Sequence, residues 1–155
     1  MKIKIIAIGR IKARGFQLAQ ADYLQRLQHY TKIELTELKD VPTHNRTVAH
    51  IQEDESRTIL NALPDDAFWV VLDRRGEALS SEAFAAFLER LANERTKTVA
   101  FAIGGPHGFS DLLRTRADRL LSLSAMTFPH ELARVMLLEQ LYRAFTILKG
   151  EKYHK

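Results

Sequence analysis

The chain has 155 residues, of which 46% are apolar and 27% charged; that is near the size of one compact domain with enough apolar surface to bury a core, so disorder is excluded and a single domain over 1–155 is expected. The absence of cysteine excludes disulfide staples, thiolate zinc sites and a cysteine nucleophile, and suits a reducing compartment. A net charge of +4 and a pI near 9.5 favour a polyanionic partner, because clustered Lys and Arg neutralise phosphates and release their counterions, with a merely solvated basic surface as the plain alternative.

Lys2–Ile8 is Ile-rich and reads as a strand. Its apolar run is broken by Lys4 and is too short for a signal-peptide core, and no other run approaches the ~18 apolar residues of a membrane span, so a soluble, cytoplasmic protein is expected. Phe16–Tyr30 carries a helical spacing of Phe16, Leu18, Leu24 and Leu27; Lys32–Leu38 alternates like a strand with one wetter face; Lys39–Thr47 reads as a loop. A charged helix over Val48–Ala62 leads to the unbroken apolar strand Phe68–Leu72, of the kind covered on both faces. Ser80 or Ser81 caps a helix over Glu82–Asn93; Val99–Ile103 is another buried strand; Ser110 and Asp111 open a short helix; Leu120–Ser124 is a last brief strand, and His130–Leu148 a long final helix. No repeat or linker divides the chain. The alternation implies an α/β fold with a mostly parallel sheet between helix layers, whose ligands sit at the carboxyl ends of the strands.

Three segments follow strands directly and carry the candidate chemistry. Asp73–Gly76 is a charged loop. Gly104-Gly105-Pro106-His107-Gly108 has the shape of a binding loop, open to close approach by a ligand, but it has neither the G-x-G-x-x-G spacing nor a phosphate loop, and a purely structural turn explains it equally well. In the third, Ser122, Ser124 and Thr127 place hydroxyls at the mouth of the final helix, with Pro129 in its first turn and Glu131 beside the positive end of its dipole; capping and ligand binding are both open to such a segment. His107 and His130 read as loop and first-turn residues, and the histidines show no metal-ligand spacing, so no metal is expected. Arg134 and Glu139 could form an ion pair on the final helix. That helix is apolar around more than one face, as a helix would be that meets the sheet on one side and a second copy of the chain on the other, or one simply buried in a monomer. Tyr153-His154-Lys155 ends the chain with an aromatic ring, an imidazole and a cation, the types that stack on bases and touch phosphate.

Ile103-Gly104-Gly105-Pro106-His107-Gly108, followed by Leu123-Ser124-Ala125-Met126-Thr127-Phe128-Pro129-His130, resembles the SPOUT methyltransferases and, more narrowly, the RlmH family. The resemblance continues through Leu132-Ala133-Arg134-Val135, Glu139 and Leu141-Tyr142-Arg143-Ala144 to the Tyr153-His154 tail, and so spans the chain. Where some relatives end in Tyr-His-Arg, Lys155 keeps the cation and gives up the planar fork. The resemblance implies a C-terminal trefoil knot, which first-principles topology rules would have excluded. It further implies a homodimer that methylates N3 of one pseudouridine in the intersubunit-bridge stem-loop of large-subunit ribosomal RNA on the assembled ribosome, using S-adenosylmethionine. Carried over, the donor pocket comprises Leu72, Gly104, Leu123, Ser124, Ala125, Met126, Thr127 and Phe128. His154 is the candidate base with Tyr153 stacking on the substrate, and Arg143, Tyr153, His154 and Lys155 form the RNA contact. A non-catalytic ribosome-associated RNA-binding protein is the alternative; a hydrolase using Asp73 and His107 lacks a serine elbow, a phosphate loop or paired carboxylates.

Overall fold

The computed structural model describes all of residues 1–155. Five strands, β1 (Lys2–Ile8), β2 (Ile33–Leu38), β3 (Phe68–Ala78), β4 (Thr98–Ile103) and β5 (Arg119–Ser122), form one sheet in the order β2-β1-β4-β3-β5, with every pairing parallel. Five helices, α1 (Arg14–Leu27), α2 (Val48–Ala62), α3 (Ser81–Asn93), α4 (Asp111–Arg114) and α5 (His130–Leu148), connect the strands and close the chain.

Strand alternation divides the core in two. Ile3, Ile5 and Ala7 of β1 join Val99, Phe101 and Ile103 of β4 under α1, α3 and α5. The intervening Ile6 and Ile8, with Ala100, Ala102 and Val71, face α2 and α4 through Ile59, Leu63 and Leu113. With helices on both faces, the central strands have no polar side, which is why β4 reads as a continuous apolar run. Thr47 caps α2 by accepting from the His50 amide, and Ser80, not Ser81, caps α3 by accepting from the Ala83 amide at 3.1 Å.

Two expectations about the sheet are corrected. Asp73–Gly76 is not a loop leaving the sheet: β3 makes an irregular excursion there and pairs with β5 again through Glu77 and Ala78. Gly76 lies against the β5 backbone, where an added Cβ would stand 2.5 Å from the carbonyl carbon of Leu120. Backbone cannot move aside as a side chain can, so Gly76→Ala is expected to destabilise the protein by about 1–3 kcal/mol, the usual penalty of overpacking, measured by urea unfolding. The final strand ends at Ser122, which leaves Leu123 and Ser124 in the following loop.

Glu131, in the first turn of α5 as expected, also supports a second helix. Its two carboxylate oxygens accept from the Lys12 and Ala13 amides at 3.0 and 3.2 Å, donors at the start of α1 that no side chain of α1 itself satisfies. These bonds hold the Glu131 carboxyl below its ordinary range. A depressed carboxyl contributes stability that is present above its unfolded value of 4.5 and lost as pH falls through the folded one. Glu131→Gln is therefore expected to flatten the acid limb of stability against pH, measured by thermal unfolding between neutral and acid pH.

Arg134 and Glu139 do not pair, since five residues of helix turn them to different sides. Arg134 is fully buried and spans α5 and the end of β1, donating to Glu37 at 2.6 Å and to the Gly9 carbonyl at 2.8 Å. Glu139 pairs instead with Arg143, one turn along, at 2.5 Å. No residue of α5 is fully exposed; α1 and α3 flank it, while Leu132, Val135, Met136, Phe145 and Leu148 stay half-covered. No helix is long and apolar enough to cross a membrane, and no His, Cys, Asp and Glu group has the arrangement to hold a metal ion.

Candidate active site

The carboxyl ends of β3, β4 and β5 open into a cavity of about 380 Å³, within the range of small-molecule sites and where parallel α/β sheets place their ligands. Its walls are the excursion after Leu72, the loop Gly104–Phe109, the loop Leu123–Phe128 and the first turn of α5 at His130 and Ala133. Of the residues expected there, Leu72, Gly104, Leu123, Ser124, Met126, Thr127 and Phe128 line the cavity. Ala125 is exposed and does not.

Local structure explains why three distant segments meet. Ser124 shapes its own loop: its hydroxyl accepts from the Met126 amide at 3.0 Å and its carbonyl accepts from the Ser122 hydroxyl at 2.9 Å. Asp73 is nearly buried and paired with Arg114 at 2.6 Å, which ties the β3 excursion to α4. Arg114 also reaches Asp111 at 3.0 Å. Neither Asp73 nor Arg114 stood out in the sequence as a structural pair, because 41 residues separate them. His107 and His130 both border the cavity.

The walls suit a small molecule with both apolar and polar surfaces. Their apolar surfaces include Leu72, Ile103, Leu121, Leu123 and Phe128. The Gly104, Thr127 and Phe128 amides take no part in the hydrogen bonds of the chain, so they are donors available to the polar edge of a base or ribose. At Gly104 a Cβ would meet the ring of Phe109 at 2.8 Å, so a glycine keeps this wall thin.

The tail folds back on α5 at a separate place. Tyr153 donates from its hydroxyl to Glu139 at 3.2 Å, meets Tyr142 edge-on with ring centroids 4.8 Å apart, and lies under the Arg143 guanidinium at 4.8 Å. Burial, and then a hydrogen bond with Tyr23, push the Tyr153 phenol above its ordinary range. His154 receives a hydrogen bond at Nδ1 from Arg143 at 3.4 Å and donates from Nε2 to Glu82 at 2.8 Å. The Glu82 amide, the Ser80 hydroxyl and the His154 imidazole hold the Glu82 carboxyl down at about 2. Arg143, Tyr153 and His154 thus come together, with Lys155 exposed beyond them. None of the four lines the cavity of its own chain.

A parallel α/β sheet with a ligand cavity at its carboxyl end, closed by glycine and hydroxyl loops with free amides, defines a small-molecule-binding protein of the α/β class. The family described as "Predicted SPOUT methyltransferase" matches residues 1–154. Proteins called "Ribosomal RNA large subunit methyltransferase H" are similar over the full length: that of Syntrophotalea carbinolica is 42% identical over 154 residues, covering 99% of each chain. Those of Coprothermobacter proteolyticus and Desulfotalea psychrophila are 43% and 46% identical over 155 residues, covering 100% of each chain. The chain belongs to the SPOUT methyltransferase family, and with that membership come an enzymatic methyl transfer and the knotted C-terminal half.

Proposed function

We propose that the protein transfers the methyl group of S-adenosylmethionine to N3 of one pseudouridine in large-subunit ribosomal RNA, acting in the cytoplasm as a homodimer on the assembled ribosome. The observation that carries this reading is the cavity whose Gly104, Thr127 and Phe128 amides have no partner in the chain. The names of the relatives support ribosomal RNA as the acceptor. S-adenosylmethionine supplies a methyl already activated on its sulfonium sulfur, so the protein has mainly to hold nucleophile and methyl in line. Leu72, Leu123 and Phe128 pack the donor's apolar surfaces, while the free amides of Gly104, Thr127 and Phe128 take its polar edges, with Ser124, Ala125 and Met126 completing the loop. Tyr153 stacks on the target base, His154 accepts the N3 proton at Nδ1 once Arg143 turns from it to phosphate, and Arg143 and Lys155 contact the phosphates on either side.

Because the tail and the donor cavity lie apart in one chain, a second copy packed across α5 would bring the tail of one protomer to the cavity of the other. The half-covered Leu132, Val135 and Met136 on that helix support such a contact. Labelled S-adenosylmethionine and ribosomes from a strain lacking the protein test the substrate: label confined to a single pseudouridine is expected, and donor binding without transfer to any ribosomal RNA overturns it. Sedimentation as a monomer at concentrations where transfer proceeds overturns the homodimer.

A further inference from the structure

Helix α2 contributes only Gln52 to the cavity, yet it holds one whole wall in place. Gln52, Glu55 and Ser56 lie three and four residues apart, on one face of the helix. Each holds a different backbone group of the loop after β4. Gln52 Nε2 donates to the His107 carbonyl at 2.7 Å, the Gly105 amide donates to Glu55 Oε2 at 3.0 Å, and the Ser110 amide donates to Ser56 Oγ at 3.0 Å. Glu55 is 3% exposed, and no Lys, Arg or His stands within ion-pair distance of it; the sole hydrogen bond its carboxylate receives is that from Gly105. The loop presses on it as closely as a backbone can, since a Cβ on Gly105 would lie 2.5 Å from Glu55 Oε1.

A buried carboxylate with one neutral donor is a poor stabilising element, because desolvation opposes its charge and an apolar residue of similar length would fit at little or no cost. Burial holds the Glu55 carboxyl above its ordinary range, and the Gly105 amide only partly offsets this. The side chain's specific effect is to fix the Gly104–Gly105 peptide at the cavity wall.

We infer that Glu55 is a positioning residue of the donor site, acting through Gly105 to hold the glycine loop where the Gly104 amide meets the donor. The inference rests on the donor-binding reading of the cavity. Calorimetric binding of S-adenosylmethionine, thermal unfolding and the KM for ribosomes, each measured on the wild type, Glu55→Met and Glu55→Gln, test it. Glu55→Met is expected to bind the donor about tenfold more weakly, the loss that a displaced amide donor produces, with an unchanged or higher Tm and an unchanged KM for ribosomes. Glu55→Gln, whose carbonyl oxygen accepts the same amide, should stay within about threefold of wild type. A purely structural role gives the reverse pattern, a lowered Tm with unaltered donor affinity, and that result overturns the inference. So does a Glu55→Met protein that binds donor within twofold of wild type. If Glu55→Met does not fold, Gly105→Ala, which drives a methyl group against Glu55, is the second variant: weakened donor binding supports the inference and wild-type binding overturns it. A wild-type protein that binds no S-adenosylmethionine strikes the donor reading, whereas a wild type that binds and a Glu55→Met that binds equally strikes only the role of Glu55.

Discussion

Removal of Tyr153–Lys155 is expected to lower methyl transfer by at least about a thousandfold while leaving donor affinity within about twofold of the full chain. Base stacking on an aromatic ring contributes about 1–3 kcal/mol, and a positioned proton acceptor about 10²–10⁴-fold, so their joint loss is large. Donor affinity should survive because the donor contacts proposed above all come from the cavity loops after β3, β4 and β5, while the tail is assigned to the RNA. Stability should fall only modestly, since the His154–Glu82 contact is exposed and the Tyr153 contact with Glu139 only part-buried. Single-turnover transfer to ribosomes and calorimetry with S-adenosylmethionine separate the two quantities. A fall in donor affinity matching the fall in rate would show that the tail serves the donor and not the RNA.

Arg134→Leu is expected to cost about 3–5 kcal/mol, the penalty for breaking a buried charge pair from one side. The guanidinium is 0% exposed and serves four acceptors at once: Gln20, Glu37, and the carbonyls of Ile8 and Gly9 at the end of β1. Burial lowers its pKa, and the Glu37 carboxylate opposes that shift. A domain of ordinary stability has only about 5–15 kcal/mol in hand, so the variant should unfold at a much lower urea midpoint. Arg134→Leu combined with Glu37→Leu should recover part of the loss, because no unpaired carboxylate then remains. A single variant within about 1 kcal/mol of wild type, where only exposed pairs normally fall, would show that Arg134 is not the fastening between α5 and the sheet.

Periodicity carried most of the architecture. Strands such as Val99–Ile103 announced burial on both faces by having no polar residue, and the long helices announced themselves by spacing, α3 by its serine cap as well. The boundaries of β1, α2 and α5 matched the sequence reading residue for residue. What local pattern could not reveal was anything set by contacts between distant segments. Asp73–Gly76 looked like a charged turn because its partner in β5 lies more than 40 residues on. Arg134 looked like the neighbour of Glu139 because its true partners, Glu37 and Gly9, sit at the other end of the chain. The cavity residues owed their assignment to resemblance, and seven of the eight face one space. Glu55 gave no signal at all: a carboxylate in a charged helix reads as solvated surface, and only the buried position of α2 makes it otherwise.

Arg134 and the Gly9 carbonyl are 125 residues apart, and that separation has a meaning in time. A ribosome adds about 5–20 residues per second, so the end of β1 waits roughly 6–25 s after its own synthesis for the guanidinium that completes it. Through that interval the nascent chain can form its β1–β2 pair, but not the α5 layer or the first turn of α5 that floors the cavity. The enzyme becomes competent only when its last helix has left the exit tunnel, so a chain interrupted before that helix holds all five of its strands and none of its activity.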